Sequence, residues 1–191
     1  MKRLLHRSQI LLTILFSFFV LASVSPVAQA NSQQTIIPLN QYIDVYSFYA
    51  NYNYCAKRSH KASVKVDKPE YNGRNQNHVD IYTMKRLDNQ GSITMHVMQN
   101  KLYFCFISAY DLSSLTDMYF AACASMQSDS KGYAPVRLND NCEVGLAQAV
   151  GNQGQLGKWQ SGLTGQDYYV REVVNYSGSV PVYTVIIHSL Q

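Results

Sequence analysis

Glutamate is scarce in this 191-residue chain, which carries only Glu70, Glu143 and Glu172. A glycosidase needs two carboxyl groups at a set separation, one of them kept protonated. The candidates for such a pair are few: Glu143, held next to Cys142, and Glu172, which alternates with Val170 and Val174. Other catalytic signatures are missing outright. There is no HExxH pair to ligate zinc and no GxSxG turn to present a nucleophilic serine. His78 and Asp80 stand two apart, as a base and its orienter would on one strand face. No two cysteines are spaced as CxxC, so a thiolate metal site has no local framework. The stretch "GNQGQLGK" from Gly151 to Lys158 lacks the first glycine of a phosphate loop, and Trp159 stands where the magnesium-binding Ser or Thr would be. The sequence thus calls for no cofactor and no metal. No long apolar run follows residue 30, so no transmembrane segment is expected in the mature chain.

Residues 1–30 have the form of a cleavable export signal. Lys2, Arg3 and Arg7 open it, Ile10 to Val24 is apolar, and Ala28-Gln29-Ala30 supplies small residues at a cleavage point. The mature chain, 31–191, is then one exported domain, periplasmic or secreted, of a length that can bury its own core. Its polar, Asn- and Gln-rich start suits a bacterial export substrate. An even set of cysteines in such a compartment, Cys55, Cys105, Cys123 and Cys142, predicts two disulfides. The preferred pairing is Cys105–Cys123 with Cys55–Cys142.

Of sixteen Lys and Arg, three lie in the leader, and the remaining thirteen face twelve acidic residues. A net charge so near zero argues against nucleic acid as a partner. The charge is uneven, however. Between Cys55 and Arg74 six bases, Lys57, Arg58, Lys61, Lys65, Lys68 and Arg74, oppose only Asp67 and Glu70. A loop carrying Lys57, Arg58, Lys61 and His60 would suit an anionic glycan, lipid headgroup or acidic protein. The bland alternative is a solvated loop leading to an edge strand that its lysines protect from aggregation.

Tyrosine is abundant, and Tyr42, Tyr46, Tyr49, Tyr52 and Tyr54 crowd one segment. Tyr49 and Tyr52 are candidate contacts there, since tyrosine offers a large, stiff contact area, although half-buried packing uses it equally. The lone Trp159, flanked by glycines, is either an outward recognition anchor or a plug at the end of the core.

The segment Tyr42 to Tyr54 fits a strand by its aromatic content and a helix by its three-and-four spacing. The runs "HVDIYTMKRL", "SITMHVM" and "LYFCFIS", separated by short polar breaks, predict an antiparallel meander. "ASVKV" followed by Asn72-Gly73 reads as a further strand and turn. Leu115, Met118, Tyr119, Ala122, Cys123 and Met126 predict an amphipathic helix over 114–126. "YYVREVVNY" and "VPVYTVIIHSL" around "SGS" predict a C-terminal hairpin. The fold class is α+β, an antiparallel sheet with one or two packed helices; the alternative is an all-β sandwich or barrel decorated by a helix.

Two functions remain in play. One is a non-enzymatic exported binding protein, an inhibitor, immunity-like or envelope accessory protein, recognising a protein or an anionic envelope or host ligand. The other is a small secreted hydrolase acting on glycans or cell-wall material.

Overall fold

The computed structural model describes residues 34–58, 62–133, 141–151 and 155–191. The expected export signal and Lys61 with His60 lie outside these residues. In chain order come β1 (Ile36–Ile37), α1 (Val45–Arg58), a 3-10 turn (Ala62–Val64), β2 (Glu70–Arg74), β3 (Asp80–Lys85), β4 (Gly91–Met98) and β5 (Lys101–Ala109). Then follow α2 (Leu112–Met126), α3 (Asn141–Gly151), β6 (Gly157–Gln160), β7 (Asp167–Ser177) and β8 (Val180–Leu190).

All strands belong to one open antiparallel sheet in the order β2-β3-β4-β5-β8-β7-β6, with β1 paired to β8. The meander and the C-terminal hairpin are therefore joined by direct pairing of β5 with β8, Cys105 opposite Ile187 and Ile107 opposite Val185. The fold is α+β: the sheet is single and open and carries three helices, which the alternative of a sandwich or barrel decorated by one helix does not describe.

The tyrosine-rich segment is helical because Asp44 caps it. Its side chain accepts the Ser47 N–H at 2.7 Å and its carbonyl that of Phe48 at 2.9 Å, satisfying amides that a helix start leaves unpaired. The three-and-four spacing then buries Val45, Phe48, Tyr52, Cys55 and Ala56. Helix α2 starts slightly before its expected position, capped by Asp111, which accepts from Ser114 N at 2.8 Å.

The Asn72-Gly73 pair does not make the expected turn. It lies within β2, where the register against β3 shifts between Tyr71 and Arg74 and Gly73 has φ 104°, the signature of a bulge. The turn itself is built by Asn75, whose Oδ1 accepts from Asn77 N and Val79 N. Nor does "ASVKV" form a full strand; it gives the 3-10 turn and a single bridge from Val66 to Arg86.

Helix α3 and strand β6 were not legible in the glycine-rich sequence. They approach so closely that side chains would collide. A Cβ on Gly157 would stand 2.0 Å from the Gly145 carbonyl oxygen, and one on Gly145 would stand 2.5 Å from Trp159 Cδ1. Glycine is present at both positions because two backbones and an indole share one layer.

The core lies between the sheet and the helices. Met84, Ile93, Met95, Ile107, Val170, Val185 and Ile187 supply the sheet side, and Phe48, Tyr52, Leu115, Met118, Tyr119 and Ala122 the helix side. The four cysteines sit one on each of α1, β5, α2 and α3, all buried and all unbonded. The two expected disulfides are thus not formed. Helix α2 does lie over β5, but the hydrogen-bonding neighbours of the Cys123 thiol are Cys142 and Tyr119, not Cys105. Burial holds Cys123 and Cys105 well above the usual thiol range and pushes Cys55 up to about 11, so these thiols pack as small apolar groups.

Candidate binding surfaces

The basic segment resolves into separate settings. Lys57 and Arg58 are exposed in the last turn of α1, where cations offset the negative end of the helix dipole. Arg74 is committed to Asp80 through Nε and Nη2, both at 2.8 Å. Lys65 and Lys68 flank the approach to β2, an edge strand of the sheet.

Tyr52 is not a contact residue. It has no exposed surface, and its hydroxyl donates to the Val64 carbonyl at 2.9 Å. Tyr49 is half-buried against the core. The tyrosines of this region that reach solvent are Tyr42, Tyr46 and Tyr54. Trp159 is likewise turned inward, 3% exposed and stacked on Tyr168 at 4.3 Å. The reason is the glycine pair that lets α3 close over its indole. It is a core plug rather than an anchor.

The hydrolase candidates do not converge. Asp80 is engaged by Arg74 and by the Tyr71 hydroxyl at 3.1 Å, and the Arg74 bonds hold its carboxyl below the usual range. His78 is exposed in the turn with φ 59°, its backbone donating to Asn75. Glu172 faces the helix side opposite Val185, and desolvation raises its pKa. Glu143 is exposed in the first turn of α3. That turn sits at the Gln160 end of β6, where Asn141 donates to the Gln160 carbonyl. Glu172 lies two residues past the Val170 to Gly157 pair, beyond the other end of β6. Glu143 is solvent-exposed on α3 whereas Glu172 lies on the helix side of β7, so the two carboxyl groups stand in different settings. Among the described residues no three His, Cys, Asp or Glu gather as metal ligands. No described helix is long and apolar enough to cross a membrane.

What the structure does assemble is a row of side chains on the sheet face turned away from the core. The register aligns Ile81, His96, Phe104, His188, Tyr169 and Lys158 across β3, β4, β5, β8, β7 and β6. His188 is stacked between Phe104 at 5.8 Å and Tyr169 at 5.6 Å, with interplanar angles of 28° and 23°. Lys158 Nζ lies 5.4 Å from the centre of the Tyr169 ring and 2.7 Å from Asp167, a cation over an aromatic face. His96 packs on Phe106 at 4.6 Å. The neighbouring row is Thr83, Thr94, Phe106, Ile186 and Arg171.

Rings stacked on one another at strand spacing have their faces occupied and turn their edges outward. Burial among these rings lowers the pKa of His96 and of His188, the latter helped by Arg171, so both imidazoles are neutral at pH 7. Around the rows Lys85, Lys158 and Arg171 are exposed, with Glu70 within 3.9 Å of Lys85 and Asp167 within 2.7 Å of Lys158, a small basic excess.

This face was missed in the sequence although a signal was present. A sheet covered on one side alternates apolar with polar, yet "LYFCFIS" is apolar at nearly every position, which marks strands with two apolar faces. No protein-family model, no curated protein and no solved structure matches the chain.

Proposed function

We propose that this chain is an exported, non-enzymatic binding protein that docks a protein partner on the helix-free face of its sheet. The observation that carries the reading is the continuous aromatic row from His96 through Phe104 and His188 to Tyr169. Ring edges flanked by Ile81 and Ile186 offer apolar contact without a free ring face, which suits protein side chains better than a sugar stacked flat on a ring. Lys85, Lys158 and Arg171 around the rows favour a partner with an acidic rim. The commitment of Asp80 to Arg74 and Tyr71 rather than to His78, and the solvent exposure of Glu143, support a binder over the hydrolase alternative. Export, to the periplasm or beyond, rests on the leader-like residues 1–30.

The test is site-specific photo-crosslinking in cells that make the protein, with the photoreactive residue at Phe106, Ile186 or, as a control, Tyr46. The reading expects one discrete adduct from Phe106 and Ile186, weakened when Lys158 and Arg171 are changed to Glu, and none from Tyr46. Absence of any adduct at the sheet positions, or the same adduct from Tyr46, overturns it. An adduct of twice the chain's own mass identifies the partner as a second copy.

A further inference from the structure

A concavity of the structure shares no residue with the aromatic rows. It is a cleft of about 610 Å³ bounded by the segment entering α1, the turn after α2 and the turn between β6 and β7. That is within the usual size of small-ligand sites, several hundred Å³. Its walls are fixed by buried hydrogen bonds. Asn40, 3% exposed, donates through Nδ2 to the carbonyls of Met126 at 2.7 Å and Ser128 at 2.9 Å, and its Oδ1 accepts from Tyr42 N. Gln166 donates to the Pro38 carbonyl at 2.7 Å, and the Tyr168 hydroxyl to that of Leu39 at 2.8 Å. Three chain segments are thereby pinned into one rigid rim before any ligand arrives.

The side chains lining the cleft are mostly polar and uncharged, with Ile37, Pro38 and Leu163 as the apolar exceptions. Amides (Gln41, Gln166, Gln191), hydroxyls (Ser130, Thr164) and one carboxylate side chain, Asp129, line it; among the described residues no basic side chain lines it, although Lys101 Nζ donates to the Gln41 carbonyl at 2.6 Å. Asp129 spends Oδ1 on the amides of Lys131 and Tyr133, which orients Oδ2 as a fixed acceptor. Tyr42, 49% exposed, adds an aromatic ring at the mouth. Donors and acceptors in near balance, one carboxylate and one ring match a ligand that is itself rich in hydroxyls and carries C–H faces. They suit an anion less well, since it would meet the Asp129 carboxylate while the neighbouring Lys101 ammonium is already bonded to the Gln41 carbonyl.

We infer that this cleft binds a neutral oligosaccharide, its hydroxyls bonded to the amide and Asp129 groups and one sugar face packed on Tyr42. The inference is independent of the sheet face, whose residues it does not use.

The test is titration calorimetry of the full mature chain with cellohexaose, maltohexaose and chitohexaose, repeated with Y42A, D129N and, as a control, Y176A. Tyr42 and Tyr176 are both surface residues, and D129N keeps the Oδ1 that holds the turn. Expected is saturable binding of at least one hexasaccharide with a Kd below about 1 mM, weakened about tenfold or more by Y42A and by D129N and unchanged by Y176A. No binding of any of the three, or binding indifferent to Tyr42 and Asp129, overturns the assignment.

Discussion

His188 on β8 stacks against Phe104 on β5 at 5.8 Å, and this contact joins the meander to the C-terminal hairpin on the solvent side of the sheet. It places an ionisable ring inside an apolar row, where its Nδ1 is buried without a hydrogen-bond partner among the described residues.

The first prediction follows from that burial. His96 and His188 have folded-state pKa values below their unfolded value of about 6.5. The unfolded chain therefore binds more protons as the medium acidifies, so their contribution is complete above about pH 6.5 and is lost as pH falls through the folded values. The denaturant midpoint should fall between pH 7 and pH 5, and the fall should shrink in His96→Phe/His188→Phe. An equal fall in that variant would place the pH dependence elsewhere.

A second, separate acid window belongs to the helix caps. Asp44 and Asp111 have pKa values lowered by hydrogen bonds to the amides and hydroxyls of Ser47 and Ser114, an effect that burial opposes. What they contribute is present above about pH 4 and lost as pH drops through their folded values. Asp44→Ala and Asp111→Ala should each cost about 1 kcal/mol at neutral pH, read by chemical denaturation.

The glycine contact between α3 and β6 predicts a steep steric cost. Gly145→Ala pushes a methyl into Trp159, and Gly157→Ala pushes one into the Gly145 carbonyl. Overpacking of this kind costs about 1–3 kcal/mol, with the backbone clash at Gly157 the worse of the two. Both variants should alter the fluorescence of Trp159, the only tryptophan: Gly145→Ala by pressing on its ring, Gly157→Ala by displacing the Gly145 backbone that lies against it. Wild-type spectra and stability in both would refute the close approach.

Tyr52 and Tyr46 separate core from surface within one helix. Tyr52→Phe leaves the Val64 carbonyl without its buried donor and should cost about 1–2 kcal/mol. Tyr46→Ala removes a ring that is 60% exposed and should change stability by less than about 0.5 kcal/mol.

The thiols give a chemical readout. With all four buried and unbonded, the native protein should resist iodoacetamide, and unfolding without reductant should expose four alkylatable cysteines. Recovery of two or none would show that bridges form. In the same preparation, a mature N-terminus at Asn31 would support the export signal.

The contrast between what was legible and what was not follows the range of the forces involved. Asp44 and Asp111 act on amides three residues away, and the spacing of Leu115, Met118, Ala122 and Cys123 needs only a helix period, so α2 and the strand runs could be read directly. The tyrosine segment was ambiguous because its spacing serves both periods; the cap at Asp44 and burial of Phe48 and Tyr52 decided it. Asn72-Gly73 carries a turn signal, but the same left-handed glycine also suits a bulge, and pairing of β2 with β3 selected the bulge.

The strands of the meander and of the C-terminal hairpin, the main helix and the lack of familiar catalytic motifs can be read from the residues alone, because each depends on neighbours along the chain. The packed fold was needed to show that Trp159 turns inward, that Asp80 serves Arg74, that Tyr52 is buried, and that His96, Phe104, His188 and Tyr169 line up. Those relations join residues from separate elements, and sheet register, a cooperative outcome of core packing on the opposite face, sets which of the strand residues meet.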